Sequence, residues 1–172
     1  MSDAIKLNTL VTLIATASIT VTNHLGASVT LKIRDMTPTL GATDTGVPGA
    51  VNTQDCPLMA PRPLNFVSNV NPKLDTQGGD SAYKSIEYDL TYQFFFAPVG
   101  EGGFWTVNYG ANANAVMAIM LYFMDNSNQF SNNGAEELLP NAIPALQSQT
   151  DAAGTVFHGA EISFKIRHFL ED

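Results

Sequence analysis

Three histidines, one cysteine and two pairs of acids are the residues of this chain whose chemistry could reach beyond packing. His158 and His168 share one strand parity but stand ten residues apart. That is roughly 33 Å along an extended strand, too far for one metal ion within a straight strand. His24 lies in the turn-forming stretch His24-Leu25-Gly26, where a solvated side chain is the plain reading. No C-x-x-C, H-E-x-x-H or H-x-H pattern occurs, so the spacing argues for no metal site and no cofactor. Cys56 sits between Asp55 and Pro57. It becomes a nucleophile only if the fold brings a histidine to it; a buried, inert thiol is the ordinary alternative. Glu136-Glu137 falls in a loop and Glu171-Asp172 at the chain end, so both read as solvated charge.

Gly100-x-Gly102-Gly103 lacks the G-K-[ST] ending of a phosphate loop and the G-x-G-x-x-G spacing that opens a helix, so it reads as a flexible joint. Phe104, Trp105 and Tyr109 follow it and have no Lys or Arg near them. A base-stacking platform needs such cations, so these rings read as core or as anchors for a protein partner. Met117, Met120 and Met124 recur at helical spacing and read as core. Residue chemistry thus points away from an enzyme and toward a structural or interaction role.

The elements that would hold these residues centre on Ser85–Pro98. Ile86, Tyr88, Leu90, Tyr92, Phe94 and Phe96 alternate with Glu87, Asp89, Thr91, Gln93 and Ala97, and Phe95 alone breaks the polar series. Side chains on a strand alternate faces, so one face of this long strand is greasy and the other polar. Burying each large group contributes about 1.5–3 kcal/mol. Before it, Ala4, Leu7, Val11 and Ile14 predict a helix over 3–17, and Val29, Leu31 and Ile33 predict a short strand. Residues 36–54 read as a long loop. Pro57, Pro61 and Pro63 make 55–63 an extended run suited to a sheet edge. Residues 64–70 read as a strand, and Gln77–Asp80 turns it back into the central one.

Beyond the joint, Ala113, Val116, Met117, Met120, Leu121 and Met124 predict a second helix over 111–125. Asn112 is its cap, and with almost no charge it should bury much of its circumference. Residues 126–133 are a polar turn region and 136–145 mostly irregular. Leu146–Thr150 and Thr155–Leu170 form a hairpin through Asp151–Gly154, where Gly supplies a positive φ. The sum is one α+β domain over 1–172, a mostly antiparallel sheet with two helices on one face and long loops at 36–54 and 126–145.

The chain has 45% apolar and only 14% charged residues. That excludes wholesale disorder and leaves a surface of neutral polar groups, which suits packing against neighbours. Net charge is −8 and the eight Lys and Arg residues are scattered, so tight nucleic-acid binding is not expected. A single cysteine excludes an internal disulfide. No signal-like start and no apolar run of membrane-span length occurs, so the protein is expected to be soluble and made in a cytoplasm.

Three stretches together resemble the tail terminator proteins of long-tailed bacteriophages. They are the helix-to-strand segment Asp3–Ile33, the proline-bearing run N52-T-Q-D-C-P-L-M-A-P-R-P, and the pair I86-E-Y-D-L-T-Y-Q-F-F-F-A-P-V-G and H158-G-A-E-I-S-F-K-I-R-H-F-L with a helix between. The likeness covers most of the chain in topology, with loose motifs. It implies a structural virion protein, usually a hexameric ring at the head-proximal end of the tail tube, made in the host cytoplasm. Such a ring stops tube polymerisation and offers a docking surface for head–tail joining. Its partners are then other copies of itself, the tail tube protein and a neck or head-completion protein. DNA would be only a passing genome in an acidic lumen, with no membrane involved. A neck or head–tail connector is the alternative, and a tube or decoration subunit a more distant one. On this reading the candidate contacts are Thr39, Asp44 and Val47 in the first loop, Gly102, Phe104, Trp105 and Tyr109 after the central strand, and Asn128, Phe130 and Asn132 in the second loop.

Overall fold

The computed structural model describes residues 7–35, 50–62, 71–75, 83–100, 105–131, 137–140 and 145–170. Helix α1 is Leu7–Ala15. A hairpin follows, β1 (Thr20–Thr22) and β2 (Ser28–Thr30), with Val21 opposite Val29. Asn23 closes its turn: Oδ1 accepts from the amides of Leu25 at 3.0 Å and Ala27 at 2.9 Å, and Gly26 takes φ +79°.

Six strands join the two-residue β3 (Lys32–Ile33) in the main sheet: β4 (Leu58–Pro61), β5 (Asn71–Asp75), β6 (Tyr83–Pro98), β7 (Glu137–Pro140), β8 (Leu146–Thr150) and β9 (Val156–Leu170). Among the described strands, only the β3–β4 pair is parallel. The expected central strand is β6, paired along nearly its whole length with β9 from Lys84↔Leu170 to Pro98↔Phe157. Between them in sequence runs helix α2 (Trp105–Asp125), followed by the one-turn helix α3 (Asn128–Ser131).

The alternation in β6 builds the core. Tyr88, Leu90, Tyr92, Phe94 and Phe96 are buried with Ala160, Ile162, Phe164 and Ile166 of β9. Leu10, Val11 and Ile14 of α1 and Ala115, Val116, Ile119 and Phe123 of α2 belong to the same cluster, so both helices cover one face, as expected. Rings link sheet to helices: Tyr92 meets Phe164 edge-on at 5.9 Å, Phe164 meets Phe123 at 4.7 Å, and Phe123 meets Phe130 at 5.4 Å. Such pairs add directional attraction to the burial of their area.

Near its end β6 carries one extra residue: Phe95 pairs with Gly159, but the next pair is Ala97 with His158. This bulge switches parity, so Ala97 lies on the same side as Phe94 and Phe96. Phe95 points the other way into a smaller cluster with Val51, Cys56, Leu58, Ala60 and Phe157. The residue that broke the polar series in the sequence therefore seeds a second, minor core. Cys56 is buried there.

Several expectations change. Val29–Ile33 is two strands rather than one, because the chain changes partner at Leu31. The Leu31 amide donates to Ile19 at 2.8 Å, whereas the Lys32 amide donates to Pro57 across the main sheet at 3.3 Å. Strand β4 is not an edge: it lies between β3 and β6, with Pro57 just before it and Pro61 at its last position. Residues 137–140, expected to be irregular, form β7, and Glu137 begins that strand rather than sitting in a loop. The strand facing the start of β6 is 71–75; the expected strand at 64–70, the turn at 77–80 and the side chain of Ile86 lie outside the described residues.

Candidate protein-contact site

Helix α2 begins at Trp105, six residues before the expected start. Asn112 is therefore no cap. It is buried mid-helix, and its Nδ2 donates to the Gly159 carbonyl at 3.3 Å, while Oδ1 is buried with no hydrogen-bond partner among the described residues. One turn earlier Asn108 places Nδ2 3.3 Å from His158 Nδ1. An amide nitrogen only donates, so this contact requires a neutral imidazole accepting at Nδ1. Burial pushes the His158 pKa down and favours that form. Two asparagines thus tie α2 to the bulge where β6 and β9 change register. No periodicity marks them as buried.

Toward solvent, α2 departs from expectation more sharply. The sequence predicts that it buries much of its circumference, yet Val107, Tyr109, Met117, Leu121 and Met124 are each roughly half or more exposed. Val107, Gly110, Asn114, Met117, Leu121 and Met124 are all exposed and follow one another at steps of three and four residues. That spacing lays them in a single stripe along the helix. The helix carries no Lys, Arg, His or Glu, and its only charged residue is Asp125 at the end. An exposed face free of charge over five turns, and apolar at Val107 and again from Met117 to Met124, is what a partner site looks like on an isolated subunit. Met117 and Met124 belong to it rather than to the core, and only Met120 among the three is buried.

The opposite face of the sheet differs in character. Glu87 faces Arg167, Asp89 faces Lys165 and Thr91 faces Ser163 across β6 and β9, with the two hydroxyls 3.0 Å apart. Arg62 reaches Glu161 at 3.0 Å, and Lys32 pairs with Asp55. Cations are thus matched to anions in place, and the polar alternation of β6 becomes a cross-strand ladder of compensated charge. Deeper in, Gln93 Nε2 donates to Gln149 Oε1 at 2.8 Å, and Asp151 receives the amides of Val51, Ala153 and Thr155.

Of the contacts named from the sequence, Tyr109 is exposed on α2 beside the stripe, and Asn128 is exposed on α3. Phe130 is not available: it is buried against Phe123 and belongs to the core. Trp105 opens α2, and its side chain lies outside the described residues, as do Thr39, Asp44, Val47, Gly102, Phe104 and Asn132. The stripe at 107–124 was missed, although its period was visible, because the same residues also fit a fully buried helix. Among the described residues no group of His, Cys, Asp and Glu is arranged to hold a metal ion, and no helix is long and apolar enough to cross a membrane. No family model, curated protein or solved structure matches the chain.

Proposed function

We propose that this protein is a structural assembly subunit, and that its role is the one its resemblance to tail terminators implies: a ring at the head-proximal end of a phage tail tube that ends tube growth and receives the neck. The observation carrying the assembly reading is the charge-free apolar face of α2, in which Met117, Leu121 and Met124 stand exposed. Large exposed apolar patches on a folded subunit mark surfaces meant for other proteins. The terminator assignment is supported by the element order that carried the resemblance, a leading helix and short strands, then two long paired strands with a helix between. The mechanism is steric: ring contacts join unlike surfaces of neighbouring copies, and the seated ring blocks addition of the next tube subunit. Among the described cations, Lys32, Arg62, Lys165 and Arg167 stand in ion pairs and Arg34 donates to the Ala50 carbonyl, and the chain carries net charge −8. An acidic lumen would let DNA pass without being held.

Electron microscopy of the purified chain, alone and mixed with tail tubes, tests this. Rings seated on one tube end are expected; tube ends left bare, and tubes that keep growing in its presence, overturn it. Deleting the gene separates the nearest alternative, since loss of a terminator gives tails of unregulated length and loss of a neck connector leaves finished tails unattached.

A further inference from the structure

We draw no further inference here: the strongest candidate, the outer edge of β8, an uncharged strand that pairs with β9 alone among the described strands and leaves Gln147, Ser148 and Thr150 exposed, carries nothing because nothing in the structure shows what would pair with it.

Discussion

Arg167 grips Glu87 from the neighbouring strand through two nitrogens, Nε at 3.0 Å and Nη2 at 2.6 Å, both donating to the same carboxylate oxygen. The two residues are directly opposed in the β6–β9 register, and Lys165 stands 3.9 Å from the other oxygen. The Glu87 side chain is 5% exposed and that of Arg167 34%. The pair therefore sits at the rim of the core, where water no longer reaches the acid but still reaches the base.

Removing the base should cost more than removing both partners. Arg167→Met takes away the closest cation of a buried carboxylate and is expected to destabilise by about 2 kcal/mol, less than the roughly 3–5 kcal/mol of a fully buried broken pair because Arg167 is partly solvated and Lys165 remains nearby. The double variant Glu87→Met/Arg167→Met should recover at least half of that loss. Urea unfolding of the three proteins checks it; equal losses in single and double variants would show that the carboxylate does not need its partner.

Gly159 sits beneath the bulge, and a Cβ added there would overlap the Phe94 carbonyl oxygen and press on Gln149 Cγ. The obstacle is backbone, which cannot rotate away. Gly159→Ala is expected to cost about 3 kcal/mol or more. Gly154 is the comparison: it has φ +81° but open space around it, so Gly154→Ala should cost only about 1 kcal/mol. Thermal denaturation ranks the two.

Asp151 joins two parts of the chain a hundred residues apart. Its Oδ2 accepts from the Val51 amide at 2.8 Å, and Oδ1 accepts from Ala153 at 3.0 Å and Thr155 at 2.8 Å. Asp151→Ala strands a buried amide and loosens the β8–β9 turn, for an expected loss of about 2 kcal/mol. Hydrogen exchange at Val51 should accelerate more than at Leu90 in the middle of β6. Unchanged exchange at Val51 would mean that the side chain does not anchor that segment.

His158 makes the fold sensitive to acid. Its pKa is lowered in the folded protein by burial, so below the ordinary value of 6.5 the unfolded chain binds a proton that the folded one resists. Stability contributed by the neutral ring is complete above about pH 6.5 and drains as pH falls toward the folded-state value. Protonation also removes the acceptor at Nδ1 that faces Asn108. His158→Gln, which cannot titrate, should flatten this part of the stability curve. A wild type and variant with parallel curves between pH 7 and 5 would sink the assignment.

Much of the architecture was legible in the residues themselves. The alternation from Tyr88 to Phe96 determined both a strand and the side of it that had to be covered, because side-chain direction on a strand is fixed by parity alone. The same holds for Ala160 to Ile166, and Asp151–Gly154 carried its turn chemistry openly. What tertiary structure alone decided were choices between partners. Local pattern could not tell that Val29 and Ile33 serve different sheets, since the switch at Leu31 depends on where Ile19 and Pro57 offer their carbonyls. Nor could it place β4 between two strands or Asn112 inside a helix, as its partner, the carbonyl of Gly159, comes from a distant strand. Above all, α2 is apolar nearly all round. Its period shows that it is a helix, but only the sheet, by occupying one side, determines that the stripe from Val107 to Met124 is the side left over.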